Sequence, residues 1–437
     1  MGSDELEGEI RRVGADLADA FPSSARHPVK ALDARAMELA AADRDVRAAL
    51  FRFVDVVPAC RGADDLARHL NAFLDEVPAG PAPIAAAMKM ADTRAGRAAL
   101  GAAAAAGVKH MAHRFIVGET PAAAVSVLRR LWTGGVASSV DLLGEATVTE
   151  AEANAYAERC ADAVRSLSAA TAHWPERPDL ERDASGTLPR TNVSVKISAL
   201  TPLLRPDAPA RGERDAARRL RPLLREAKRL GAHVHIDMES LDSREAVLEL
   251  VLALLAEEEF RDGPSTGIVL QAYMRDSPEQ LDQILDWAGS QSRAVPPVIR
   301  LVKGAYWDHE IAESGQHGWP VPVFEAKADS DRNFEALTTR LLAARPTVRV
   351  AIASHNLRSV AHAIALNRLS GARDSELELQ VLRGLGDDLQ DALAARGFRV
   401  RTYCPVGDLV AGMAYLVRRL LENTSNESFF SHAREGA

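Results

Sequence analysis

Polar side chains stand at one end of nearly every apolar, β-prone run in the second half of the chain: Glu145, Lys196, Asp237, Gln271, Arg300, Lys303, His355 and Tyr403. Three chemistries compete for them. In "HVHIDM", His233, His235 and Asp237 alternate and so share one face of a strand; that spacing suits metal ligands, and His355 could add another. Lys196 or Lys303 could form a Schiff base with a carbonyl. Alternatively, several cations without a metal cluster suit an anionic ligand: Arg300 and Lys303, three apart, could meet a pyrophosphate or an electron-rich ring. A further pair of cations lies near the end of the chain in "AYLVRRLLEN". Read as a helix, Tyr415, Arg418, Arg419 and Glu422 share one face, while Leu409, Met413, Leu416, Val417 and Leu420 form an apolar stripe. The polar face is either solvated surface or a two-pronged clamp for an anion, with Lys196 as a third contact.

The elements that must position these groups follow from the hydrophobic pattern. Residues 1–135 hold successive helical segments punctuated by Pro and Gly, with no convincing strand. Beyond them, eight short β-rich runs at 139–145, 192–198, 233–238, 267–273, 298–304, 348–355, 377–382 and 399–406 alternate with helical segments. Eight such units are the arithmetic of a (β/α)8 barrel, whose strand C-termini converge on one mouth. The competing doubly wound sheet lacks its signature, because no Gly-rich phosphate loop opens the first β-α turn. The expected organisation is an α/β chain: a helical N-terminal region over 1–135, a distorted barrel over 136–426 and a tail over 427–437. The Pro-rich segment 173–190 reads as an exposed excursion.

Composition narrows the function. A net charge of −8 and a pI near 5.9, with no isolated basic block, argue against a nucleic-acid surface. Three widely spaced cysteines form neither a disulfide framework nor a CxxC pattern, which suits a reducing cytoplasm. The acidic N-terminus is no signal peptide, and no run of about 18 apolar residues offers a transmembrane span.

Taken in order, "VSVKISAL", "HIDMES", "VLQAYMRDS", "IRLVKGAYWD", "ASHN", "QVLRGLGDDL", "YCPVGD" and "YLVRRLLEN" resemble the successive motifs of flavin-dependent proline dehydrogenase, in particular the proline dehydrogenase region of bacterial proline utilization A. The likeness spans residues 135–426, one motif per strand. It implies a distorted (β/α)8 barrel that binds FAD and oxidises L-proline to Δ1-pyrroline-5-carboxylate, with hydride passing from proline C5 to flavin N5 and electrons going on to a membrane quinone. Carried over by motif, Lys196, Arg418 and Arg419 hold the proline carboxylate and Glu145 neutralises Arg419. Tyr306, Tyr403, Tyr415, Ala305 and Leu382 wall the pyrrolidine ring. Asp237 and Arg300 take the catalytic roles, Asp237 by positioning the cations and Arg300 by a hydrogen bond near N5. Met238, Gln271, Lys303, Gly304, Ala305, Trp307, Ser354, His355, Asn356 and Glu422 contact the flavin.

The N-terminal residues are too acidic and too helical for the DNA-binding arm of some relatives, so no nucleic acid is expected, and no metal either. The resemblance places the protein in the cytoplasm, with a peripheral position at the inner membrane face open to it. The partner it implies is a pyrroline-5-carboxylate dehydrogenase, separate or fused. No aldehyde dehydrogenase module follows residue 426, so a monofunctional enzyme and a fragment of a bifunctional chain are both compatible. The stretch "PVFEAKADSD" departs from the family's adenine side, which leaves Glu325 and Lys327 unassigned there. Two alternatives stay open: a 4-hydroxyproline dehydrogenase, disfavoured if Tyr403 crowds a ring hydroxyl, and a metal-dependent barrel hydrolase using His233, His235 and His355.

Overall fold

The computed structural model describes residues 3–21, 44–77, 93–144, 146–408 and 412. Two compact units emerge: Met1–Phe21 with Thr120–Val406, and Pro22–Glu119 with Gly407–Ala437. The first begins with helix α1 (Ser3–Asp19). In the second, helices α2 (Arg44–Val56), α3 (Ala63–Asp75) and α4 (Arg94–Phe115) pack together. A side chain at Gly101 of α4 would strike the Ala63 carbonyl oxygen of α3 at 1.9 Å, so the two helices approach through glycine.

In the first unit, helix α5 (Pro121–Thr133) leads into strand β1 (Val136–Leu142) and helix α6 (Glu150–Thr171). A two-stranded hairpin, β2 (Arg182–Asp183) and β3 (Gly186–Thr187), follows. Then strands and helices alternate: β4 (Asn192–Val195), α7 (Pro209–Leu230), β5 (His233–Ile236), α8 (Leu241–Leu255), β6 (Ser265–Gln271), α9 (Ser277–Ser290) and β7 (Val298–Val302). Helices α10 (Trp307–His317) and α11 (Lys327–Ala343), β8 (Arg349–Ala353), α12 (Leu357–Leu369), β9 (Glu378–Leu382), α13 (Asp387–Ala395) and β10 (Arg399–Val406) complete it. All strands but the hairpin pair in parallel and close a barrel in the order β1-β10-β9-β8-β7-β6-β5-β4. The expected eight-stranded barrel is present, its strand limits within a few residues of those read from the pattern.

Local chemistry sets several junctions. Thr149 and Glu152 form a reciprocal capping box that starts α6. Gly231, left-handed at φ 62°, ends α7 and turns the chain into β5. Helix α1 packs on α12 and buries Ile10, Val13 and Leu17, with ion pairs Glu7–Arg358 (2.9 Å) and Asp16–Arg396 (2.6 Å) at its rim.

Strand alternation divides the barrel by polarity. Val193, Val195, Val234, Ile236, Ile268, Leu270, Ile299, Leu301, Val350, Ile352, Leu379 and Val381 are buried in the apolar core. Many of the intervening positions, which point inward, are polar, among them Asn192, Ser194, His233, His235, Gln271, Arg300, Arg349, Glu378 and Gln380, while Val269 and Ala351 are not. Arg300 on β7 reaches Gln380 on β9, Ser139 on β1 and Ser194 on β4, which only an inward side chain can do. Barrels of this class usually fill their centre with branched aliphatics; here the centre is a hydrogen-bonded network. Gly267 belongs to it, since a Cβ there would lie 2.2 Å from His235 Nδ1.

The excursion at 173–190 is not simply exposed. Trp174, Leu180 and Leu188 are buried, and Trp132 Nε1 donates to the Pro175 carbonyl at 2.8 Å. Asp183, in the hairpin, accepts two hydrogen bonds from Arg349, each 2.9 Å, at the first residue of β8. The segment therefore plugs the N-terminal end of the barrel, and its polar sequence reflects buried ion pairing as well as solvent contact.

Candidate active site

The C-terminal mouth is organised around Asp237, the residue after β5. Its Oδ1 accepts from Arg300 Nη1 (2.8 Å); its Oδ2 accepts from the Tyr403 hydroxyl (2.6 Å) and from Lys196 Nζ (3.4 Å). Four strands thus meet at one carboxylate. Lys196 Nζ also donates to Asp141 Oδ1 at 2.5 Å, and Asp141 is fully buried. Arg300 continues inward through Nε to Gln380 Oε1 (2.8 Å), and its guanidinium lies 5.3 Å from the centre of the Tyr403 ring.

The charges reinforce one another. Burial alone would raise the Asp237 pKa, but Lys196, Arg300 and the Tyr403 hydrogen bond outweigh it and hold the carboxyl below its ordinary value. Burial likewise opposes charge on Lys196, yet Asp141 and Asp237 hold its pKa above the ordinary lysine value. Lys196 is therefore an ammonium ion near neutrality, unsuited to attack a carbonyl as a free amine. Two cations and two carboxylates cancel: the cluster is fixed in geometry and close to neutral in sum.

Around it, the ends of β6, β7 and β8 carry a row of donors. Gln271, ending β6, donates through Nε2 to the Glu239 carbonyl (3.1 Å). After β7, Lys303 is paired with Asp331, and burial lowers its pKa despite that partner. Gly304 has φ 134°, and a Cβ there would lie 2.0 Å from the Tyr273 ring, so only glycine fits. Ala305 and Tyr306 are half-buried, and Trp307, more exposed, donates to the Phe324 carbonyl at 2.9 Å. After β8, Ser354 accepts from the Asn356 N–H (3.1 Å), and Asn356 caps α12 by accepting from the Ser359 N–H (3.0 Å). His355 Nε2 accepts from the Leu382 N–H at 2.9 Å, which ties the ends of β8 and β9 together. Met238 is buried behind this rim.

The three histidines do not converge on one site, since His355 is apart from the other two. His233 opens β5 at the floor of the barrel, its Nδ1 2.8 Å from Ser265 Oγ and its Nε2 3.1 Å from His235 Nδ1. Burial, then the nearby arginines, lowers both pKa values, that of His233 to about 3. His355 follows the C-terminal end of β8, at the opposite face. Among the described residues, the one grouping tight enough for a metal is Cys60, Asp65 and His69, in the helical unit, and it includes none of these histidines. Glu145, Tyr415, Arg418, Arg419 and Glu422 lie outside the described residues.

Sequence reasoning missed Asp141, Ser139, Ser194 and Gln380. A signal existed, since each sits in step with an inward polar neighbour on its own strand: Ser139 with Asp141, Ser194 with Lys196, Gln380 with Glu378.

Residues 124–432 match the family model described as proline dehydrogenase, and residues 7–115 match that of the proline utilization A N-terminal domain. The bifunctional protein PutA of Escherichia coli (strain K12) is 33% identical over 328 residues, covering 73% of this chain and 24% of that protein. Proline dehydrogenase 1 of Bacillus subtilis (strain 168) is 29% identical over 324 residues, covering 74% of this chain and 90% of that protein. The crystal structure of proline utilization A from Bdellovibrio bacteriovorus inactivated by N-propargylglycine superposes with a TM-score of 0.86 at 35% identity, covering 97% of this chain and 42% of that one. The chain thus spans about a quarter of the bifunctional E. coli relative.

Proposed function

Because the chain belongs to the proline dehydrogenase family, we propose that its barrel oxidises L-proline to Δ1-pyrroline-5-carboxylate, the first step of proline catabolism. The observation that carries this reading is the buried cluster of Lys196, Asp141, Asp237, Arg300 and Tyr403 at the strand C-termini. Its internal charges cancel, so an anionic substrate needs further cations to bind. Arg418 and Arg419 meet that need: with Lys196 they hold the proline carboxylate, and two planar guanidinium groups give bidentate contacts that lysines could not. Glu145 neutralises Arg419. Tyr306, Tyr403, Tyr415, Ala305 and Leu382 enclose the ring and exclude water, and Asp237 keeps Lys196, Arg300 and Tyr403 in register.

The donor set on the rim fits FAD. Gln271, Arg300, Lys303, Trp307, His355 and the amides around Gly304 supply cations and N–H groups beside a glycine that lets the backbone come close; Met238, Ala305, Ser354, Asn356 and Glu422 complete the contacts. FAD held by these residues would supply, at N5, a hydride acceptor facing proline C5, with a membrane quinone as the onward electron acceptor. Loss of that hydride and of the ring N–H proton leaves the C=N bond of the product. This chain's contribution is alignment of the ring and a preorganised field, with the Arg300 charge held beside the reacting centre. On this reading the protein is cytoplasmic, with a peripheral position at the inner membrane face open to it; among the described residues no helix is long and apolar enough to cross a membrane. A pyrroline-5-carboxylate dehydrogenase, separate or fused, consumes the product.

Visible absorbance of the purified chain, followed by addition of L-proline without oxygen, tests the reading. Flavin bands that bleach on proline, and far less on trans-4-hydroxy-L-proline, are expected. Arg418→Met and Arg419→Met should keep the flavin but raise KM for proline, each losing about 2–5 kcal/mol of charge-assisted binding. A colourless protein after FAD is supplied, or flavin that proline leaves oxidised, overturns the proposal.

A further inference from the structure

At the floor of the barrel, opposite the mouth, lies a second charged cluster that the reaction does not use. The first inward residues of the strands and the hairpin line a cavity of about 20 Å³ there. Three guanidinium groups face it, from Arg349, Arg399 and Arg401, against two carboxylates, Asp183 and Glu378. Arg349 is paired with Asp183 through Nε and Nη2 (both 2.9 Å). Arg401 is paired with Glu378 at 2.9 and 3.1 Å, and its Nη1 donates to the Ser138 carbonyl at 2.9 Å.

Arg399 is left over. Its nearest carboxylate oxygens, on Asp183 and Glu378, are each 3.9 Å away, beyond hydrogen-bond reach. Arg399 is 3% exposed and Arg349 6%. Among the described residues, Arg399 Nε and Nη1 and Arg349 Nη1 have no hydrogen-bond partner. Glu376, the other acid near Arg399, is committed to Arg373 (2.6 Å) and to the Ala184 N–H (2.8 Å). The imidazoles of His233 and His235 contribute no compensating negative charge. A buried cation with unfilled donors is costly unless an anion meets it.

We propose that the barrel floor is a binding site for a single chloride-sized monovalent anion, held by Arg399 and Arg349 beneath the 182–187 hairpin. The cavity has room for at least one water-sized species, and a chloride-sized ion is the simplest anion that fits it. Charge decides between the ion and a water molecule: a water would satisfy the donors but leave one positive charge buried. An anion there completes the charge balance that fastens the hairpin to the ends of β8 and β10.

The unmodified chain and one variant test this in two ways. Thermal unfolding in sodium chloride, compared with sodium gluconate at equal ionic strength, should show a saturable gain of about 2–4 °C that disappears in Arg399→Met. Crystals of the unmodified chain soaked in sodium bromide should give an anomalous peak within hydrogen-bond distance of Arg399 and Arg349; this arm does not depend on whether the variant folds. A bromide-free floor holding only ordinary water density, or identical melting in chloride and gluconate, overturns the proposal.

Discussion

Three donors from three strands end on one carboxylate, and that arrangement makes Asp237 the residue on which the mouth depends. An amide of the same shape cannot replace it, because Asn would offer one acceptor and one donor where Arg300, Lys196 and Tyr403 all need acceptors. Asp237→Asn should therefore retain flavin yet lower kcat/KM for proline by about 10²-fold, the scale expected when reacting groups are misplaced by about an ångström. Steady-state kinetics measure it; a variant within twofold of the parent would show that Lys196 and Asp141 alone hold the geometry. Lys196 and Asp237 were legible in the sequence because each directly follows a strand, while Arg300 and Tyr403, inside β7 and β10, stood out as polar groups in β-prone runs. Asp141, one residue before the end of β1, was harder to find because an acid there reads as an interruption of an apolar run. Its role appears only when Lys196, 55 residues later, reaches it.

Among the elements, the strands are the most legible and the hairpin the least. The barrel strands are short runs rich in β-branched residues, several of them alternating with polar ones, and the closing order follows from parallel β-α-β winding. The hairpin has two residues per strand, too few for any period, and its anchor is a pairing of Asp183 with Arg349 across 166 residues. Proline and charge in 173–190 resemble solvent-exposed loop chemistry, although the same residue types also serve a buried plug. The energetic consequence is specific: both partners are nearly buried, so removing one strands the other. Asp183→Asn should destabilise the barrel unit by about 3–5 kcal/mol in urea unfolding. A change within about 0.5 kcal/mol, the range of an ordinary surface substitution, would mean that the hairpin only rests on the floor.

Across the whole barrel, a polar interior makes stability a function of proton concentration in two windows. Glu378 has a folded pKa of about 2: burial acts to raise it, but Arg401 and Arg399 outweigh that. A depressed carboxylate contributes stability that is present above its unfolded value of 4.5 and is lost as pH falls toward 2. The buried histidines act earlier. Burial lowers His233 to about 3, from 6.5 in the unfolded chain, and lowers His235 and His362 as well. Below pH 6.5 the unfolded chain takes up protons that the folded barrel refuses, so stability falls with pH well before the carboxylates titrate. For His233 alone the loss at pH 5 is about 2 kcal/mol, from roughly 1.5 pH units at 1.36 kcal/mol each. The urea midpoint should therefore drop between pH 7 and pH 5 and keep dropping through the carboxylate range. In His233→Gln the upper part of that slope should flatten, since glutamine keeps a polar group beside Ser265 but takes up no proton. A midpoint that stays level from pH 7.5 to 5.5 would mean that the floor admits the charged imidazoles, and the balance of three arginines against two acids would then have to be reconsidered.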